Sequence, residues 1–297
     1  MKKNTVIIIY LIIALLISAQ PPTISDITED AQNLIHQVAK TNIRKSGQMR
    51  IMSYNLLADS AGFNGTTAFE RADGVCSIIN CIKPDIIGLQ EVSRNWYYCL
   101  KSNTKYKFIR PLKTALFGTM TTIIYNPDTV ALLSCGETSF TSTPQSQLRQ
   151  MVWGIFSRKT DNTSFCIINT HLSLSNEDWD IAIKQAKELA EEINQLSNNY
   201  HIPVFVTGDF NSGKRKTYNT DTAGIYETIC TVADDTKNIS RSSSCGDGKS
   251  FQSVAIDHIF MRGDAVVDKY TILSQREFAV LSDHYPIFVD FSLLKNE

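Results

Sequence analysis

Apolar positions along this chain follow two periods. Short β-branched and aromatic runs at residues 50–54, 85–89, 121–125, 130–133, 151–156 and 165–169 are separated by turn signals such as Asn126-Pro127-Asp128 and Thr160-Asp161-Asn162, which predicts strands. Residues 68–82 carry the helical period and stop before Lys83-Pro84, where the residue ahead of a proline is driven out of the α region. The clearest helix follows Ser175-Asn176-Glu177-Asp178, a capping box, and lays Trp179, Ala182, Ile183, Ala186, Leu189, Ala190 and Ile193 along one face. Strands at 203–207, 255–261, 266–272 and 286–292 complete the pattern, and the Ser-, Asp-, Lys- and Gly-rich stretch 234–250 reads as a long surface loop. No repeat or linker divides residues 49–293. The strand content exceeds that of a simple doubly wound sheet and predicts an α/β fold of two packed sheets flanked by helices.

The amino terminus has a different character. Lys2 and Lys3 precede an apolar run at residues 6–17, and Ile17-Ser18-Ala19 offers a small residue for cleavage before Gln20. Residues 1–19 therefore read as a signal peptide, and the mature protein as secreted or at the cell surface. An uncleaved membrane anchor is the alternative, because Ile17 is a poor residue so close to the cut, although the apolar run is short for a spanning helix. Residues 20–48 form a polar leader with one amphipathic stretch (Ile27, Ala31, Leu34, Ile35, Val38), packed on the domain or tethering it. The remaining 49–297 read as one domain.

Charge and cysteine content narrow the partners. A net charge of −1 provides no global basic field for nonspecific DNA binding, so a nucleic-acid partner would need a local basic groove. The 7 cysteines show no CxxC pair and no zinc-finger spacing. Cys166 reads as a small buried hydrophobe, while Cys230 and Cys245 flank a polar stretch and are the pair best placed for a disulfide in an exported protein.

Chemistry gathers where strands end. Asn55 follows Met52-Ser53-Tyr54; alone it could simply turn the chain. Glu91 directly follows Ile86-Ile87-Gly88-Leu89-Gln90, where a carboxylate needs a positive partner, a metal ion or a helix terminus. His171 closes one apolar strand; Asp209 and Asn211 close another, on one side of it if strand geometry persists through Phe210. Asp257 lies inside Val254-Ala255-Ile256-Asp257-His258-Ile259-Phe260 and also needs a partner, whereas His258 points the other way and reads as structural. Asp283-His284 precede Tyr285-Pro286 and the last strand. Oxygen ligands with histidines suit a magnesium-type ion and phosphate chemistry.

Taken in order, Asn55, Glu91, Asn169-Thr170-His171, Gly208-Asp209-Phe210-Asn211, Ile256-Asp257 and Ser282-Asp283-His284 resemble the endonuclease/exonuclease/phosphatase superfamily of DNase I-like proteins over about residues 49–293. The resemblance implies a four-layered α/β sandwich of two mainly antiparallel sheets, and phosphoester hydrolysis dependent on Mg2+, with Mn2+ or Ca2+ as alternatives. It implies Asn55, Glu91 and Asp283 at the metal, Asp209 and Asn211 orienting or activating water, and His284 on the phosphate with its tautomer held by Asp257. His171 becomes a second phosphate-contacting imidazole. Arg149 matches a phosphate-binding arginine of some members, or is a plain surface arginine. Relatives cleave DNA, RNA, sphingomyelin, phosphoinositides or small phosphodiesters. Lys214-Arg215-Lys216 with Tyr218 form a basic and aromatic run that either grips a polyanion backbone or is a solvated loop. The expectation is an exported phosphodiesterase, nuclease first, with a phospholipid or small phosphate ester as the alternative substrate and no protein partner. An inactive binding module is disfavoured by the intact set of catalytic residues.

Overall fold

Strands β1 (Met49–Asn55) and β2 (Ile86–Val92) run parallel, with Ile51 paired to Ile86 and Asn55 to Gln90, and both are almost wholly buried. Such burial on two faces explains their near-continuous apolar sequence. The structure, a computed structural model, describes residues 29–59, 67–109, 120–142, 149–173, 179–212, 223–233 and 255–294. Before β1 comes α1 (Glu29–Thr41); α2 (Ala68–Ile82) joins β1 to β2; α3 (Arg94–Asn103), β3 (Lys107–Phe108) and β4 (Met120–Tyr125) follow. Then come β5 (Val130–Ser139), β6 (Gln150–Arg158), β7 (Ser164–His171), α4 (Trp179–Tyr200), β8 (Val204–Asp209) and α5 (Ala223–Cys230). The chain ends with β9 (Asp257–Arg262), β10 (Ala265–Ile272), a 3-10 turn (Arg276–Val280) and β11 (Ile287–Leu293).

Two sheets result, one in the order β10-β11-β1-β2-β4-β3 and the other β5-β6-β7-β8-β9. Each holds a single parallel pair, β1–β2 or β7–β8, among antiparallel neighbours. One apolar core lies between the sheets and under α2 and α3, with Phe165, Phe205 and Phe291 meeting across it. A second lies between α4, α5 and the outer face of the second sheet. This is the two-sheet, four-layer arrangement expected from the sequence.

Several details differ from the sequence reading. Strand β5 runs on to Ser139, and helix α3 has Ser93 as its cap, the hydroxyl accepting from the Trp96 amide. Its apolar residues bunch at Trp96, Tyr97, Cys99 and Leu100 within only 10 residues, too short a run to display a period. The leader helix α1 is docked, burying Ile35 and Val38. Below it, Arg50 donates to the Asn42 carbonyl at 2.7 Å and to Asp290 at 2.6 Å and 2.8 Å. The 175–178 box, the 234–250 loop, Cys245 and residues 1–28 lie outside the described residues. Cys166 is fully buried, and burial pushes its thiol pKa up.

The sheets are pinned by a polar contact. Asn169 on β7 is fully buried and donates to the Leu89 carbonyl at 2.9 Å and the Thr122 carbonyl at 2.7 Å, both on the opposite sheet. Its own carbonyl accepts from Gln90 at 2.7 Å and Thr207 at 3.0 Å. All four hydrogen-bonding positions of the amide are thus used. Gly88 makes room for it: a Cβ there would lie 2.0 Å from Thr207 Oγ1 and 2.6 Å from Asn169 Oδ1.

Candidate active site

The parallel pair in each sheet ends at the same edge of the molecule. In the second sheet, register places His171 beside Asp209 and Asp209 beside Asp257, three chemistry-bearing residues in one row across β7, β8 and β9. In the first sheet, Asn55 ends β1. Glu91 sits where the β2–β4 register shifts, with φ of 56°. A bulge with a left-handed residue re-aims a side chain at a sheet edge. Asp283 and His284 arrive on the segment before β11, anchored by Ser282, whose hydroxyl donates to the Asn55 carbonyl at 2.7 Å.

Asp209 Oδ2 is the hub. Asn55 Nδ2 donates to it at 3.0 Å, His171 Nε2 lies 3.4 Å away and His284 Nε2 lies 3.6 Å away. The same Asn55 nitrogen reaches Glu91 Oε1 at 3.2 Å, while its oxygen accepts from the Leu57 amide at 3.0 Å. Asn55 therefore presents its NH2 to the site and links the Glu91 and Asp209 carboxylates. Glu91 Oε2 also accepts from the Ala58 amide at 3.0 Å.

Asn211 does not continue the strand. Its φ is 49°, its amide nitrogen closes a turn onto Asp209 Oδ1 at 2.8 Å, and its side-chain nitrogen is held by the Leu172 carbonyl at 2.9 Å. Phe210 between them is buried in the outer core against His258 and Phe260. His258 contacts the Ser212 carbonyl through Nε2 at 2.7 Å, and burial lowers its pKa to about 4. It faces away from the site.

Electrostatics separate the two site histidines. Burial lowers His171 to about 3, with the neighbouring Arg149 charge adding to the drop, so it is a neutral imidazole. Arg149, half-buried just before β6, is felt at His171 through its charge. For His284, burial also works against the charge. It is outweighed by Asp257 and Asp209, by the 2.8 Å hydrogen bond to Asp257 and by Asp283, which together hold its pKa well above 6.5. The Asp283 carboxyl is raised by burial, and Glu91, Asp209 and Asp257 push it further while His284 opposes. Lys214, Arg215 and Lys216 lie outside the described residues.

The endonuclease/exonuclease/phosphatase family model matches residues 52–284. This chain belongs to that family. Members of the family are phosphoester hydrolases, generally dependent on a divalent metal, and this chain is a phosphoester hydrolase. Among solved structures it is similar to a family protein of Bacteroides thetaiotaomicron, with 21% identity over 85% of this chain and 100% of that one, TM-score 0.68. It is also similar to a mannosyl-6-phosphatase of the same organism (22%, 82% and 100%, TM-score 0.67). A third similar structure is D. rerio TDP2 complexed with a single-strand DNA product (18%, 83% and 100%, TM-score 0.66). No curated protein sequence matches the chain.

The donor set fits the family's divalent ion. Four carboxylates, Glu91, Asp209, Asp257 and Asp283, converge on one edge, and Asp283 is raised first by burial and then by the other three, both of which a cation would offset. Asp209, Asp257 and His284 also offer ligand atoms within 4.8 Å of one another. Asp257 and His284 are already engaged with each other, however, which leaves Glu91 and Asp283 as the better donors. Sequence reasoning missed the pinning roles of Gly88 and Asn169, for which no local pattern exists.

Proposed function

We propose that this chain is an exported, divalent-metal-dependent phosphodiesterase whose first substrate class is a nucleic-acid strand. The observation that carries the hydrolytic reading is Asp209 Oδ2 lying within 3.6 Å of both His171 Nε2 and His284 Nε2. One carboxylate beside two imidazoles whose surroundings push their pKa values apart is an arrangement suited to acid–base work on a phosphoester.

Glu91 and Asp283 would hold the ion, with Asn55 tying Glu91 to Asp209. A bound Mg2+ supplies positive charge for the phosphoryl oxygens. The protein's residues do the rest. Asp209, fixed by the Asn55 side chain and the Asn211 amide, takes the proton of the attacking water. Cationic His284 donates Nδ1–H to Asp257 and turns Nε2–H to the developing charge on phosphorus-bound oxygen. Neutral His171 offers a second, uncharged contact, and the Arg149 charge is felt there.

The nucleic-acid preference is supported by the Lys214-Arg215-Lys216 run just after Asn211 and by the likeness to the TDP2 structure with its DNA product. The likeness to a mannosyl-6-phosphatase, with the net charge of −1, supports a second reading, a small phosphate ester as substrate. Export is supported by the basic and apolar start of the chain.

The test is a panel on purified protein with Mg2+: single-stranded DNA, RNA, sphingomyelin and sugar 6-phosphates. Cleavage of DNA or RNA well above the rest is expected. Rapid release of phosphate from sugar phosphates with intact nucleic acid would replace the first reading by the second. N-terminal sequencing should find the mature chain beginning near Gln20; recovery only in membranes with Met1 retained would favour the anchor.

A further inference from the structure

Arg71 on α2 is only 2% exposed, yet among the described residues it hydrogen-bonds no carboxylate. All its hydrogen bonds go to backbone carbonyls of segments that enter the site. Nη1 donates to Leu56 at 2.7 Å and to Leu281 at 2.9 Å, and Nη2 donates to Leu57 at 2.7 Å. The guanidinium lies 5.1 Å from the Trp96 ring centroid, and Trp96 Nε1 shares the Leu57 carbonyl at 2.9 Å. The Asp59, Asp283 and Glu91 carboxylates favour its charge through space, but without a hydrogen-bonded carboxylate its burial is costly to the fold.

What those carbonyls belong to decides the matter. Leu57 has φ of 54°, a conformation that leucine rarely adopts without being held there. Its amide fixes the Asn55 oxygen and so turns the Asn55 NH2 to Glu91 and Asp209. Leu281 precedes Ser282, whose hydroxyl binds the Asn55 carbonyl and accepts from the His284 amide at 3.2 Å. Gly74, one turn along α2, completes the seat. A Cβ there would lie 2.4 Å from Leu281 Cδ2, so an added methyl group would make the Leu281 side chain shift.

We infer that Arg71 is a positioning residue, which with Gly74 makes α2 the template that registers the Asn55–Glu91 side of the site against Asp283 and His284. This rests on the proposed reading of the site. Arg71 hydrogen-bonds none of the site's side chains; it acts through Leu57 and Leu281.

The experiment uses the full mature protein, a chromogenic phosphodiester and Mn2+ titration by calorimetry, on Arg71→Lys, Arg71→Met and Gly74→Ala. Melting curves give the folded fraction. Arg71→Lys keeps the charge but loses the fork. Expected is a fall in kcat of about 10–100-fold with KM within about twofold, the signature of a displaced constellation rather than lost substrate binding. Mn2+ affinity should fall by about tenfold, the scale for losing a group that orients ligands. Gly74→Ala should reproduce the kcat loss with Arg71 intact. Lower melting temperatures with wild-type kcat and Mn2+ affinity in the folded protein would overturn the inference, as would failure of all three variants to fold. Glu91→Gln and His284→Ala run alongside: if they keep wild-type kcat, the site reading fails; if they lose it while Arg71→Lys does not, only this inference fails.

Discussion

Asp209 and Asp257 are register partners on adjacent antiparallel strands, yet only Asp257 makes a close hydrogen bond to His284, at 2.8 Å against 3.6 Å from Asp209. One strand pairing thus delivers two carboxylates to opposite nitrogens of one imidazole. Their substitutions should differ. Asp209→Asn should lower kcat by about two to four orders of magnitude, the scale for losing a general base. Asp257→Asn should also lower kcat, and should in addition bring the His284 pKa back down, because the first carboxylate holding its proton is gone. Histidine-resolved NMR titration of the metal-free variants checks this; an unmoved His284 titration in Asp257→Asn would show that the pair does not control its charge.

Glu91→Gln should leave the fold intact and raise the Mg2+ concentration needed for half-maximal activity by at least tenfold, since one anionic oxygen donor is removed. Activity assays across a metal titration, with excess EDTA as the zero point, measure it. Wild-type activity that persists in EDTA would remove the ion from the reaction.

His258→Gln should cost far less than His284→Ala. His258 contacts the Ser212 carbonyl in the outer core, while His284 faces Asp209. Loss of His284 should lower kcat by about two to four orders of magnitude. Equal losses at the two positions would mean that the site has been centred on the wrong histidine.

The buried histidines give the metal-free protein a two-sided pH response. His171 and His258 titrate near 3 and 4 in the folded state, both through burial, against an ordinary value of 6.5. The unfolded chain therefore binds protons first, and stability falls as pH drops from 6.5 towards 4. His284 has the opposite sign: its raised value adds stability that is full below 6.5 and is lost as pH climbs through the folded pKa. Urea melts in EDTA from pH 4 to pH 9 should peak between these limits, and His258→Asn should flatten the acid limb. An acid limb unchanged by that substitution would remove His258 from the linkage.

Gly88→Ala should destabilise by about 1–3 kcal/mol or more, because the new methyl group displaces a fully bonded amide as well as overfilling the interior. Denaturant melts would give the loss; a neutral substitution would show that the two sheets yield at this point.

Much of this was legible in the sequence for a definite reason. Strand-end residues such as Glu91, His171 and Asp209 stand out because a polar group directly after an apolar run breaks the local period. The two-sheet layout followed from the number of such runs. Which strand neighbours which is not a local property, so the row His171, Asp209 and Asp257 became visible only through register. Asn211 was placed on a strand face, but the chain turns left-handed there to close onto Asp209. Arg71 had no mark at all, since nothing in an Ala-Phe-Glu-Arg-Ala helix start distinguishes an arginine that binds distant carbonyls from one in water. That the Asn55 oxygen accepts from the Leu57 amide, two residues on, was not readable from the sequence.

The amide of Asn169, seated over Gly88, has a consequence for how this scaffold changes over time. Glu91 belongs to one sheet and Asp209 to the other, so their separation is gauged deep inside the molecule and not by the connections at its rim. Connections that carry no site residue are then free to lengthen or shrink without moving the two sheets against each other. Chains sharing about a fifth of their residues with this one keep the same frame.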